Sequence, residues 1–197
     1  MKIKTKELLK ALKETKAGTA KKTLTQEEPT YIFTETNLLT YNDQTCIQYP
    51  FESDFQCSIP ATEFYDIISK IDDKEINLKL TEDKLAIKSK SVNANLSTIQ
   101  QEDILQLIQD LGIDSIKKWK KLPEDFIEGV FLSSFSVSKD MSQPYLTCIF
   151  VDDKRIISSD NYRISRYTMK SRTRQSFLIP GDSALALSKF EVKEYSL

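Results

Sequence analysis

The 197-residue sequence contains no histidine. That absence excludes Ser-His and Cys-His nucleophilic catalysis, imidazole general bases and His-containing zinc sites in one step. Cysteine is scarce: Cys46, Cys57 and Cys148 are odd in number, far apart, and each sits in an alternating apolar stretch. They read as buried thiols in a reducing cytoplasm, and no clustering of thiols offers a metal site. We therefore expect no metal and no cofactor. Four glycines and six prolines leave little material for long loops, so the elements should be regular. No apolar run approaches the ~18 residues of a membrane span, and Met1-Lys2-Ile3-Lys4 has no apolar core behind its charges. The sequence carries no signal for secretion or membrane insertion.

What is present is the balance of a folded, soluble protein, with 40% apolar and 29% charged residues. Its most informative feature is an internal repeat. Ile59-Pro60 precedes a predicted helix over Ala61–Ile71, Leu122-Pro123 one over Glu124–Val137, and Ile179-Pro180 one over Gly181–Phe190. Lys4-Thr5 stands in the same place before a helix over Lys6–Ala17. With Thr5 and the three prolines as markers the spacings are 55, 63 and 57 residues. Proline suits such points because its fixed φ and missing N–H are tolerated only at a helix start.

Each helix carries an apolar stripe, as in Leu8/Leu9/Leu12 or Phe64/Ile67/Ile68/Ile71. Three short segments of period 2 follow each of the first three helices. After the second they are Ile76/Leu78/Leu80, Leu85/Ile87 and Val92/Ala94/Leu96. Such alternation predicts antiparallel strands with one buried face. A short strand leads into the helix at Ile3, Phe55–Ile59 and Phe177–Ile179. The unit is β-α-β-β-β, and two units make one domain with helices against one face of an antiparallel sheet, an α+β arrangement. The expected organisation is a first domain over 1–100, a connector over 101–121 and a second domain over 122–197. The connector holds a short helix (Asp103–Leu111) and the basic run Lys117-Lys118-Trp119-Lys120-Lys121. The fourth unit has residues for only one of its three strands, so we expect the natural protein to continue past Leu197.

At this point the chain resembles the bacterial DNA sliding clamp, the DNA polymerase III beta subunit. The carrying residues, in order, are Phe135–Asp140 with Pro144–Ile149, then Ile156-Ile157-Ser158-Ser159-Asp160-Asn161-Tyr162-Arg163-Ile164, then Phe177-Leu178-Ile179-Pro180. The middle stretch is similar to the family's apolar-x-x-Thr-Asp-x-x-Arg-apolar signature. Asn161-Tyr162 replace the family's usual Gly-His, Cys148 replaces a glycine, and Gln100–Asp110 replace its Tyr/Phe-Pro interdomain loop. These departures suggest a divergent member of phage or prophage origin.

The resemblance implies the DNA-clamp fold and a processivity factor that encircles duplex DNA as a ring homo-oligomer, does no bond chemistry, and takes polymerase and clamp-loader peptides. It places a peptide cleft at Leu146, Ser159, Asn161, Tyr162, Arg163 and Ile164. Leu146 and Ile164 read equally as sheet core, and Asp160 with Arg163 as a pair holding a turn. The charge distribution fits a DNA partner: residues 1–22 hold eight lysines and two glutamates, a net of +6, leaving −7 for the other 175. Lys6, Lys10 and Lys13 fall within about 60° on the first helix, away from its leucines. Lys21 and Lys22 follow in a loop where the resemblance expects DNA. Such lysines are otherwise a solvated helix face. Two rival readings remain. Asp72-Asp73 and Asp152-Asp153 offer carboxylates for acid–base or Mg²⁺ chemistry, though at turns where Asp is ordinary. A clamp-like interaction module without a DNA role is the other.

Overall fold

The computed structural model describes residues 1–19, 28–42, 44–99, 105, 106, 108, 110 and 112–197. It divides into two compact units, residues 1–111 and 112–197.

The first unit is built from β1 (Lys2–Lys4), α1 (Thr5–Thr15), β2 (Thr30–Phe33), β3 (Asn37–Tyr41) and β4 (Cys46–Pro50). The same order repeats as β5 (Cys57–Pro60), α2 (Ala61–Ser69), β6 (Glu75–Thr81), β7 (Lys84–Lys88) and β8 (Asn93–Ser97). The expected antiparallel sheets are present, and the repeats exchange strands between them. There are two four-stranded antiparallel sheets, ordered β4-β3-β2-β5 and β1-β6-β7-β8. Each therefore takes its lead strand from the other repeat: β5 pairs with β2 (Tyr31↔Ile59), and β1 pairs with β6 (Ile3↔Ile76). The lead strand precedes its helix, and the helix crosses over before the chain returns, so the nearest free edge belongs to the other repeat. A bridge between Ser58 and Ile99 joins β5 to the end of β8.

Alternation along the strands sends one set of side chains to the helices. Leu8, Leu12, Tyr31, Phe33, Phe64, Ile68, Ile76, Leu78, Leu85 and Ile87 are all at or below 1% exposure and make one core. Phe33 is its centre, with Phe55, Phe51 and Phe64 rings at 5.4, 5.7 and 5.8 Å. Edge-on ring pairs of this kind add about 0.5–1.5 kcal/mol each beyond area burial. The Tyr31 hydroxyl donates to the Leu12 carbonyl at 3.1 Å, fastening α1 to β2.

The first part of the segment read as a connector, up to residue 111, also belongs to this unit. Leu105, Gln106, Ile108 and Asp110 are helical, and Ile108 and Leu105 cover Ile32 and Leu39 on the outer face of the sheet. That is why β2 is buried on both faces rather than alternating.

The second unit contains β9 (Lys120–Lys121), α3 (Phe126–Ser133), β10 (Cys148–Asp152), β11 (Arg155–Ser159), β12 (Ile164–Thr168), β13 (Ser176–Pro180), α4 (Gly181–Leu187) and β14 (Glu194–Tyr195). Its four-stranded sheet runs β12-β11-β10-β13, the order of β4-β3-β2-β5. Lys120–Lys121, expected as connector, are the lead strand of the third repeat and pair with β14 as β1 pairs with β6. A strand of two lysines has no apolar alternation to betray it; its partner alone defines it. α3 is shorter than expected because the chain tightens into a 3-10 turn at Ser134–Ser136, and β10 starts late because Pro144–Thr147 form another.

Candidate functional site

The lysine face is where the helical spacing put it. Leu8, Ala11, Leu12 and Thr15 of α1 are buried, and Lys6, Lys10 and Lys13 are exposed on the opposite side. None of the three makes an ion pair among the described residues, so their ammonium groups are available to an anion. Other lysines are engaged: Lys2 bonds Glu75 at 2.6 Å, and the Lys16 ammonium lies 4.2 Å from the centre of the Tyr65 ring. Lys21 and Lys22 lie outside the described residues.

The repeat supplies an internal comparison. Phe126, Gly129, Val130 and Ser133 of α3 are the buried set matching Leu8, Ala11, Leu12 and Thr15 of α1. The match extends to polar detail. Thr40 Oγ1 donates to the Thr15 carbonyl at 2.7 Å, and Ser158 Oγ donates to the Ser133 carbonyl in the matching place. By that alignment Lys6, Lys10 and Lys13 correspond to Glu124, Glu128 and Phe131. The basic helix face is a property of the first unit alone. Burial gives the same alignment as the Thr5 and Pro123 markers of the sequence repeat.

The expected cleft residues surround the β11–β12 hairpin. Ser159 pairs with Ile164 across it. Asp160 closes the turn: Oδ1 accepts the N–H groups of Tyr162 (3.1 Å) and Arg163 (2.8 Å). Its Oδ2 accepts Arg163 Nε (3.0 Å) and Nη2 (2.6 Å). The Arg163 side chain and N–H hold the Asp160 carboxyl below the usual carboxylate range. Ser159 Oγ donates to the Arg163 carbonyl at 2.9 Å. Asn161 takes φ of 71°, a left-handed conformation that Asn tolerates better than most side chains. Arg163 is thus a turn residue as well as an exposed cation.

Tyr162 is 95% exposed and Ile164 73%, so neither is sheet core; Leu146 is half-buried. Gln143, which the sequence pattern did not single out, joins the two segments. Its Oε1 accepts from Asn161 Nδ2 at 3.2 Å and from the Tyr145 hydroxyl at 3.1 Å. Tyr145 and Met141, 65% and 63% exposed, add apolar surface beside it. Only Pro144-Tyr145 next to Leu146 hinted at them.

The acidic pairs are turn structure. Asp73 Oδ2 accepts the Ser91 N–H (2.9 Å) and hydroxyl (2.7 Å). Bonds from Ser89 and Ser91 lower its pKa from 3.8 to about 2, far from any acid–base role near neutrality. Asp152 pairs with Arg155, and Asp153 with Arg172 at 3.4 Å.

Paired repeats with exchanged lead strands and helices laid over the sheets define a clamp-type α+β fold. The chain belongs to the DNA polymerase III beta subunit family: the model of that family's N-terminal domain matches residues 1–108. No curated protein matches significantly. Among solved structures, the beta chain of DNA polymerase III from Streptococcus pneumoniae TIGR4 is similar, at 17% identity and a TM-score of 0.72 over 95% of this chain and 55% of that one. The subunit from Pseudomonas aeruginosa gives 15% and 0.73, over 96% and 56%. That from Streptococcus pyogenes gives 20% and 0.70, over 98% and 57%. At such identities the chain is a divergent member that shares their fold, and it spans little more than half their length.

Proposed function

We propose that the chain supplies the first domain and part of the second of a sliding clamp, a DNA polymerase processivity factor working in the cytoplasm. The exposed Lys6/Lys10/Lys13 face of α1 carries this reading. Three cations on one exposed helix face contact phosphates without reading bases, which is what a protein that slides requires. Family membership and clamp fold support the reading, as does the concentration of positive charge in residues 1–22. The whole protein would close as a ring homo-oligomer, and Leu146, Ser159, Asn161, Tyr162, Arg163 and Ile164 would form one wall of a cleft for polymerase and clamp-loader peptides. An exposed aromatic and aliphatic pair with a fixed cation beside it suits an extended peptide. The low identity to the bacterial subunits fits a phage or prophage source.

The test is duplex affinity measured against salt. Lys6→Gln/Lys10→Gln/Lys13→Gln keeps the helix, because Gln and Lys have similar helix propensity. It should flatten the slope of log K against log salt by about 0.9 for each phosphate no longer neutralised. An unchanged slope would refute the phosphate-facing assignment.

One observation favours a narrower second reading. With Glu124, Glu128 and Phe131 where α1 has lysines, and with Phe131, Leu132 and Phe135 exposed, the second unit is equipped for protein contact rather than for duplex. A duplex footprint that maps equally to α3 would count against it.

A further inference from the structure

The basic run that opens the third repeat has no part in the duplex or peptide sites. Lys117, Lys118, Lys120 and Lys121 are all exposed, with no carboxylate among residues 115–122. Pairing of β9 with β14 fixes the run to the second unit. The Lys120 ammonium donates to Gln175 Oε1 at 2.5 Å, which brings the Arg172–Gln175 turn alongside. Thr173 anchors that turn. It is 3% exposed, its N–H and hydroxyl donate to the Asp153 carbonyl at 2.8 and 2.9 Å, and its own carbonyl accepts the Tyr195 hydroxyl. Arg172 and Arg174 on either side of it are exposed. Asp153 pairs with Arg172, Glu194 stands opposite Lys121, and Asp152 accepts from Ser176 next to Gln175.

In the middle of these cations stands Trp119, 51% exposed and outside the second unit's apolar core. A solvated lysine segment needs no indole, and an indole left half in water forgoes burial that this fold readily provides elsewhere. An aromatic face flanked by long, adaptable cations is instead the equipment of single-strand binding, where bases stack on the ring and phosphates lie along the charges. A duplex keeps its bases stacked inside and has nothing to offer the indole.

We propose that Trp119, with Lys117, Lys118, Lys120, Lys121, Arg172 and Arg174, forms a second nucleic-acid site that takes an unpaired strand. The site is independent of the α1 face, which lies on the other unit.

Trp119 is the only tryptophan in the chain, so its emission reports this site alone. Titrating the full chain with oligothymidylate at low salt should quench and shift that emission. Affinity should fall with salt by about 0.7 in log–log slope for each phosphate neutralised. Lys117→Gln/Lys118→Gln, placed before β9 and outside the strand pairing, should flatten that slope by about 1.4. Trp119→Leu, followed by anisotropy of a labelled oligonucleotide, should weaken binding on the order of tenfold. The α1 triple variant should leave the oligothymidylate titration unchanged, so failure here and failure of the duplex reading are separately visible. An oligouridylate arm distinguishes the sources: tighter binding than oligothymidylate assigns the site to RNA, equal or weaker binding to unpaired DNA. The proposal is overturned if saturating oligothymidylate leaves the emission unchanged. Equal quenching by inorganic polyphosphate, which has no bases, or indifference to Lys117→Gln/Lys118→Gln overturns it too.

Discussion

Asp73 shows how a single half-buried carboxylate can matter to the first unit. It sits just before β6, where its own carbonyl accepts the Thr5 hydroxyl at 2.5 Å, while its carboxylate caps the Ser89–Ser91 turn ahead of β8. The folded pKa is lowered to about 2, so the carboxylate contributes stability that is present above its unfolded value near 3.8 and is lost as pH falls through the folded one. Asp73→Asn should therefore lower the urea midpoint at neutral pH. The gap to the parent should close as pH falls from about 4 toward about 2. Gly129 is a second decisive residue. A Cβ there would meet Tyr167 Cδ1 at 2.6 Å and Ile156 Cδ1 at 2.7 Å, whereas the matching position in α1 is Ala11. Gly129→Ala gains helix propensity of roughly 0.8–1 kcal/mol, yet overpacking of about 1–3 kcal/mol outweighs it. Equilibrium unfolding should show a net loss, while Ala11→Gly should destabilise through lost helix propensity together with lost packing.

Among elements, the short helical stretch around Ile108 has a role that its composition conceals. Ile108 and Leu105 seal Ile32 and Leu39, which are 1% and 3% exposed, so the stretch completes a core rather than linking two domains. Ile108→Ala should cost about 2 kcal/mol of unfolding free energy, at the low end for a buried isoleucine because the site lies near the surface. Substitution of the exposed Gln106 by Ala should leave stability within about 0.5 kcal/mol. In the second unit, Phe150 pairs with Ile157 and Leu178 just as Ile32 pairs with Leu39 and Ser58. There Phe150 and Leu178 stand 40% and 54% exposed. The helices divide likewise: α1 presents lysines, whereas α3 presents Glu128 and Phe131, with Glu124 just ahead of it. The two units share a plan and differ in what they show to a partner.

At the scale of the molecule, exchange of lead strands makes each pair of repeats interdependent. β1 needs β6 and β5 needs β2, so one repeat alone would leave both sheets short of a strand. Residues 1–111, which hold both repeats and the covering helical stretch, should unfold in one cooperative transition, measured by circular dichroism against urea. Cutting the same chain at residue 54 should abolish that transition. The repeat order, the helix starts after Pro60 and Pro180, the apolar stripes and most strands were legible in the sequence because each depends on residues near one another. So was the lysine face of α1, since 100° per residue is fixed by the helix itself. The signature around Asp160 and Arg163 was legible as well, but not its weight as turn chemistry. Tertiary structure decided which repeat each lead strand joins, that Lys120–Lys121 form a strand, and that Ile108 covers a sheet. It also decided that Trp119 is left exposed and that the Arg172–Gln175 turn comes alongside its lysines. Local patterns fix elements through short-range sterics and periodicity; partners distant in sequence, set only by packing, fix which face of each element remains open for function.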